Sequence, residues 1–239
     1  MKIVIVIPAY NAAETIGSVF CRIPKSFYEK IHKIVVVNDG SRDNTADIIK
    51  RLSRKYRKIL QLNHPHNKGY GAAQKTGFNK AIELKVDIAV LLHSDGQYAP
   101  EILQNMVAPI EQGKADVVMG SRFLGGGALK GGMPLYKFIG NRLLTAIENL
   151  AYGMNISEFH TGYMVYSKKA LETINFNMLS NTFHFDGEMV LMSGKKNLRI
   201  VEIGIPTRYA EEKSHLKPIQ YGVDVLKIII KEKMGKYDF

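Results

Sequence analysis

The residues His93-Ser94-Asp95-Gly96-Gln97 follow directly on the apolar run Ile88 to Leu92. An apolar run of that length reads as a buried strand, so an imidazole, an acid and an amide stand together where a strand leaves the core. Asp95 and Gln97 offer two oxygen donors to a hard cation. That pairing suits Mg²⁺ or Mn²⁺ bridging a protein carboxylate and nucleotide phosphates. The competing reading is a helix N-cap, with Ser94 or Asp95 capping a helix that begins near Pro100. Two other clusters have a similar character. In VVVNDGSRDNT, Asn38 and Asp39 end another apolar run, placed to read a base or a ribose. In HNKGYGAAQKTGF, Lys68 and two glycines open a helical pattern, which suits an anion.

Such residues need elements to hold them. Apolar runs at KIVIVIP, KIVVVNDG, ILQLN, DIAVLLH and DVVMGS read as strands, followed later by GYMVYS and LRIVEIGIP. Helical patterns cover Ala12 to Cys21, Asn44 to Tyr56, Tyr70 to Leu84 and Pro100 to Gln112. The alternation predicts βαβ units and a mostly parallel central sheet flanked by helices on both faces. Ligands of such sheets bind beyond the carboxyl ends of the strands. The clusters Pro8-Ala9-Tyr10-Asn11, Asn38-Asp39-Gly40-Ser41 and His93 to Gln97 all fall at that edge. After Ser121 the stretch RFLGGGALKGGMP, with five glycines, reads as a mobile loop. Leu135, Phe138, Ile139, Leu143, Ala146, Ile147 and Leu150 then mark one face of a long helix. A final helix is expected from about Pro218 to Met234.

The 239 residues are ample for a sizeable core. Lys and Arg number 33 against 22 Asp and Glu, a net charge of +11 that favours anionic partners or serves solubility. The single Cys21 excludes an intrachain disulfide and a cysteine zinc cluster. No targeting segment is visible, and no apolar stretch approaches the ~20 residues that cross a bilayer. The turn after the first strand is Pro-Ala-Tyr-Asn rather than a glycine-rich phosphate turn, which argues against a dinucleotide oxidoreductase. No recognisable motif supports nucleic-acid binding.

The segments VIPAYNAAETI, VVVNDGSRDNT, NKGYGAAQKTGF, HSDGQYAPE and GSRF occur in this order. Together they resemble the family 2 glycosyltransferases with the GT-A fold, especially the branch similar to dolichol-phosphate mannose synthases. EFHTGYMVYSKKAL, FHFDGEM and EIGIPTRYAEEKS carry the resemblance over roughly residues 2 to 215. It implies an α/β GT-A domain spanning 1–239, with a nucleotide-sugar half to about 122, an acceptor half from 123 to 217 and an amphipathic C-terminal helix at 218–239. It implies metal-dependent, inverting transfer of a sugar from a nucleoside diphosphate sugar to an acceptor such as a polyprenyl phosphate or a glycan. Mg²⁺ or Mn²⁺ is the implied cofactor, and the implied location is the cytoplasm, with peripheral contact at the membrane face left open. The alternative is a non-catalytic nucleotide-sugar-binding or scaffold protein on the same fold.

The resemblance also distributes roles. Asp39, with Asn38, falls on the nucleotide-contacting acids of the family, and Asn38 stands where many relatives have an acid. The turn Pro8-Ala9-Tyr10 lines the base pocket, Glu14 contacts it, and Lys68 falls where relatives contact the donor. The family's Asp-x-Asp falls on His93-Ser94-Asp95. Asp95 keeps the metal-ligand position, Gln97 matches an amide ligand, and His93 departs from the pattern and leaves the first-acid role open. Arg122 resembles a basic residue near the phosphates, as do Arg208 and Lys213 on the acceptor side. Salt bridges to Glu211 or Glu212 are the competing reading. Asp186 falls near the acceptor as a base, an orienter or a helix N-cap. His160 and His215 are left without a settled role.

In the final helix Ile219, Val223, Leu226, Ile230 and Met234 share one face, and Gln220, Asp224, Lys227 and Lys231 share another. Docking of that apolar face on the protein's own sheet is favoured over a lipid interface, so Ile230 is expected to be buried. The run KRLSRKYRK carries six positive charges in nine residues and reads as a solvated face or a contact for anionic headgroups.

Overall fold

The computed structural model describes residues 1–206 and 218–239. The first half runs β1 (Ile3–Ala9), α1 (Ile16–Arg22), α2 (Lys25–Lys30), β2 (Ile31–Asn38), α3 (Thr45–Lys55), β3 (Ile59–Asn63), α4 (Tyr70–Glu83), β4 (Ile88–Leu91) and α5 (Leu103–Glu111). The second runs β5 (Val117–Ser121), α6 (Gly127–Lys130), α7 (Leu135–Tyr152), β6 (Met164–Ser167), α8 (Lys168–Thr173), α9 (Phe185–Lys195), β7 (Ile200–Gly204) and α10 (Pro218–Lys233). All seven expected strands are present, and they form one sheet in the order β3-β2-β1-β4-β6-β5-β7. Only β6 runs antiparallel to its neighbours, so the sheet is mostly parallel.

Alternation along the strands sorts side chains into two cores, because successive residues point to opposite faces. Ile3, Ile5, Ile7, Ile34, Val36, Ile88 and Val90 meet α1, α3 and α5 on one face. Val4, Val6, Val35, Val37, Ala89 and Leu91 meet α4, α8 and α9 on the other. Burial on both faces accounts for strands that read as nearly continuous apolar runs.

The glycine-rich stretch after Ser121 is not the loop expected. It folds into a 3₁₀ turn at Leu124–Gly126 and the single-turn helix α6, with Ala128 buried. Helix α7 is present, but its apolar face points outward. Leu135, Ile139, Leu143 and Leu150 are exposed, and the buried residues are Thr145 and Glu148. The inward face is polar because it has polar partners. Asn141 donates to the Glu158 carboxylate, and Asn149 exchanges hydrogen bonds with the backbone of Ile156.

The docking expected of the final helix is likewise corrected. Val223, Leu226, Ile230 and Met234 are exposed, Ile230 at 58 %. The side chain of Ile219 lies outside the description. The helix docks through Tyr221, Val225 and Ile228, which repeat at i, i+4 and i+7, with Val225 3 % exposed and Ile228 packed on the core. Val225→Ala is therefore expected to cost about 1.5–3 kcal/mol. Ile230→Ala should change stability by no more than about 1 kcal/mol. Urea unfolding of the two variants checks the assignment, and a reversed ranking would show that the docked face is misassigned.

Candidate active site at the carboxyl edge of the sheet

β2, β1 and β4 are neighbours, so their carboxyl ends bring the three polar clusters to one edge. The first two loops are stitched together. Asn11 takes φ +49, its N–H donates to Ser41 Oγ, and its Oδ1 accepts from Arg42 N–H. Ala12 N–H donates to Thr45 Oγ1 at 2.8 Å, and Asp43 caps the same turn through Thr45. Pro8 and Ala9 are buried at the end of β1, whereas Tyr10 and Glu14 are exposed beyond it.

Asn38 is buried, and its Nδ2 donates to Asn63 Oδ1 at 3.1 Å. Asp39 beside it is fully engaged within the protein. Its oxygens accept from the N–H groups of Lys68 and Gly69, each at 2.9 Å, and His64 Nδ1 lies 2.6 Å away. Asp39 thus holds the turn into α4. Gly71 N–H donates to Asn181 O. The backbone N–H groups of Lys68, Gly69 and Gly71 all have protein partners, so these three are not offered to an anion. The two glycines serve a close approach instead: Gly69 has φ +103, and a Cβ at Gly69 or Gly71 would collide with the backbone of Ser180 and Asn181. The Lys68 side chain remains exposed at this edge.

After β4 the chain turns at Ser94 to Gln97, all partly exposed. Asp95 Oδ1 accepts from Gln97 N–H at 3.0 Å, and Gly96 takes φ +77. Arg22 of α1 braces the turn by donating to Gly96 O at 2.7 Å while paired with Glu101. The cap of the following 3₁₀ turn is Ala99 and uses no side chain. Asp95 therefore shapes its own turn, and neither it nor Ser94 caps the helix. Its second oxygen, Oδ2, faces His93 Nδ1 at 4.0 Å.

His93 leads into a relay that the sequence did not disclose. Its Nε2 lies 2.6 Å from the Tyr70 hydroxyl, which donates to Asp186 Oδ2 at 2.8 Å. Gln74 donates to the other oxygen of Asp186 at 2.8 Å. Asp186 sits in the first turn of α9 behind the N-cap residue His184, so the N-cap reading falls away. Burial raises its carboxyl above the ordinary value, opposed by the neighbouring His93 ring and the bonds from Gln74 and Tyr70. Burial likewise holds the Tyr70 phenol well above its usual range, with Asp186 adding to the effect. The only sequence signal for Tyr70 was an aromatic hydroxyl between two glycines, because its partner Asp186 is 116 residues away.

Arg122 leaves the end of β5, and its Nε and Nη2 both donate to Oε1 of Glu158, which is fully buried, while its backbone N–H donates to Oε2. Its Nη2 also donates to His160 O at 2.7 Å. His160 is held between Tyr221, at 3.0 Å from Nδ1, and Glu148, at 3.0 Å from Nε2, so it joins α7 to α10 rather than reaching the strand-end turns. Arg208, Lys213 and His215 lie outside the described residues.

A seven-stranded, doubly wound sheet with an acidic turn at its carboxyl edge has the architecture of α/β proteins that bind ligands beyond that edge. The sequence model of "Glycosyl transferase family 2" matches residues 4–174, and the chain belongs to that family. It is 32 % identical over 247 residues to a UDP-N-acetylglucosamine–dolichyl-phosphate N-acetylglucosaminyltransferase of Methanococcus voltae, covering 98 % of this chain and 97 % of the relative. It is 27 % identical over 205 residues to a dolichol-phosphate mannosyltransferase of Pyrococcus furiosus, covering 85 % of this chain and 55 % of the relative. The fold superposes with a TM-score of 0.69, at 16 % identity, on glucosyl-3-phosphoglycerate synthase of Mycobacterium tuberculosis solved with Mn²⁺, UDP and glucosyl-3-phosphoglycerate, covering 100 % of this chain and 80 % of that one. The protein is a glycosyltransferase with the GT-A fold. The expectation of an enzyme is met, and the non-catalytic alternative is set aside.

Proposed function

We propose that the protein transfers a sugar, with inversion and with a divalent ion, from a nucleoside diphosphate sugar to a polyprenyl phosphate. The carrying observation is a contrast between two carboxylates. Asp95 is partly open at the strand edge, whereas Asp186 is buried with both oxygens hydrogen-bonded. A sugar hydroxyl needs a base beside it, and Asp186 is closed off from that task. A phosphate oxygen is already an anionic nucleophile. It would attack the anomeric carbon as the bond to the diphosphate breaks, and the electron pair would leave with the diphosphate.

The donor set at the turn fits Mg²⁺ or Mn²⁺. It comprises Asp95 and the amide of Gln97, and no group of three or more His, Cys, Asp or Glu side chains suited to a metal occurs among the described residues. Such ions commonly take one or two carboxylates and fill their other positions from phosphates and water. When bound, the ion neutralises charge on the leaving diphosphate. Tyr10, Glu14 and Asn38 are assigned to the nucleoside, Lys68 and Ser94 to the donor, and Arg122 to the phosphates. Asp39 supports the nucleoside edge by holding the turn into α4. Arg208 and Lys213 are assigned to the acceptor phosphate from the motif alone.

No helix among the described residues is long and apolar enough to cross a membrane. We place the acceptor at a cytoplasmic membrane surface touched by the outward faces of α7 and α10. The two helices pack together with Gly222 against Leu144. Ile139 and Leu143 are exposed on one helix and Leu226 and Ile230 on the other, accompanied by the exposed cations Arg142, Lys227 and Lys231. The basic run on α3 packs on the opposite face of the sheet and is separate from this surface.

Radiolabelled transfer tests the acceptor class. With Mn²⁺ and UDP-N-acetylglucosamine, UDP-glucose or GDP-mannose, label should enter an organic-soluble product when the acceptor is a polyprenyl phosphate. It should not do so with the unphosphorylated polyprenol. Equal use of the alcohol, or transfer only to a water-soluble glycan, would exclude this acceptor.

A further inference from the structure

We propose that His93 is a nitrogen ligand of the divalent ion, held in the tautomer that ligation needs by Tyr70 and Asp186. The proposal rests on the metal-dependent reading above and concerns a residue that departs from the family's acidic pattern.

The imidazole is held from several sides. A Cβ at Gly162 would collide with its ring, so the backbone lies directly against it. Tyr98 meets it edge-on at 4.8 Å between centroids, and Tyr70 meets it in a similar way at 5.4 Å. The hydroxyl of Tyr70 has one proton, and that proton goes to Asp186 Oδ2. His93 Nε2, 2.6 Å from the same oxygen, must then be the donor of its own bond. An imidazole protonated at Nε2 presents a lone pair at Nδ1. That atom faces Asp95 Oδ2 at 4.0 Å, while Asp95 Oδ1 is engaged with Gln97 N–H. Two donors each about 2.1 Å from one ion stand between about 3 and 4.2 Å apart, depending on the angle. The observed separation lies within that span.

The chain His93–Tyr70–Asp186 thus has the form of a metal-binding histidine whose second nitrogen donates into a network ending on a carboxylate. An all-oxygen set suits Mg²⁺ and Mn²⁺ alike, and a nitrogen donor shifts preference toward the first-row transition ion. His93 would therefore set which metal the enzyme uses. A purely structural role, holding Tyr70 in place, would leave metal preference unchanged.

Electron spin-echo spectroscopy of Mn²⁺ bound with UDP, with GDP run beside it, tests this without turnover. The result expected is nitrogen modulation on the Mn²⁺ signal that changes to the ¹⁵N pattern in protein labelled with [¹⁵N]histidine and disappears in His93→Asn. Tyr70→Phe should weaken Mn²⁺ affinity about tenfold through loss of the orienting bond. His93→Asp should lower the Mn²⁺-over-Mg²⁺ preference by a similar factor. Calorimetric binding of Mn²⁺ and nucleotide without histidine modulation, or modulation that survives in His93→Asn, would overturn the ligand assignment and leave the proposed function standing. Folded protein that binds neither Mn²⁺ nor nucleotide would overturn both.

Discussion

Replacing Asp95 by Asn should cut sugar transfer about 10²–10³-fold and leave folding stability within about 0.5 kcal/mol. The two effects separate because of where the carboxylate sits. Asp95 is partly exposed; its Oδ1 accepts from Gln97 N–H, and its Oδ2 lies 4.0 Å from His93 Nδ1. The carboxamide oxygen of Asn can accept that bond and keep the turn. What it lacks is negative charge for a hard cation, so several kcal/mol of stabilisation of the departing diphosphate are lost. Calorimetry with UDP should show Mn²⁺ enhancing binding to the wild-type protein and having little effect on the variant. Retained metal dependence in a well-folded variant would remove Asp95 from the site.

Glu158→Gln should destabilise the protein by about 3–5 kcal/mol, the range for breaking a buried ion pair at one partner. Glu158 is fully buried and binds Arg122 through the guanidinium and through the Arg122 N–H at 2.7 Å, with Asn141 adding a bond at 3.2 Å. Glutamine keeps the shape but leaves the guanidinium charge without its carboxylate. For a chain of this length the loss corresponds to a fall in Tm of roughly 6–20 °C. Adding Arg122→Leu to Glu158→Gln should recover part of the stability, because the uncompensated charge is gone, while transfer stays low. Thermal melts and transfer rates of the wild-type protein and the two variants check this. An unchanged Tm for Glu158→Gln would mean that Arg122 does not depend on Glu158.

The parts of the fold readable from sequence were those governed by local periodicity. Apolar runs such as IVIVIPA and IVVVN can be buried on both faces only in the middle of a layered sheet, and each expected strand forms. Helices of six residues were not foreseen. α2, KSFYEK, and α8, KKALET, are too short for a clear 3.6-residue repeat, and α8 depends on the Ser167 side chain accepting from Ala170 N–H. The direction of an amphipathic face was not readable either. The apolar stripe of α7 looks core-facing by pattern, yet the buried Glu158 and the half-buried His160 attract the polar side of that helix. At the site, Asp95 and Gln97 were legible as strand-end residues. Tyr70 and Asp186 were not legible as a pair, and the internal engagement of Asp39 depended on a turn whose path only the folded chain defines.

Diffraction from crystals grown with Mn²⁺ and UDP, collected for the anomalous signal of manganese, is the most direct test of the site. The expected result is one manganese peak at the turn after β4, within bonding distance of an Asp95 oxygen and of the UDP diphosphate, with the uridine toward Tyr10 and Asn38. UDP ordered at this edge with manganese absent, or manganese and UDP bound together at a place away from Asp95, would contradict it.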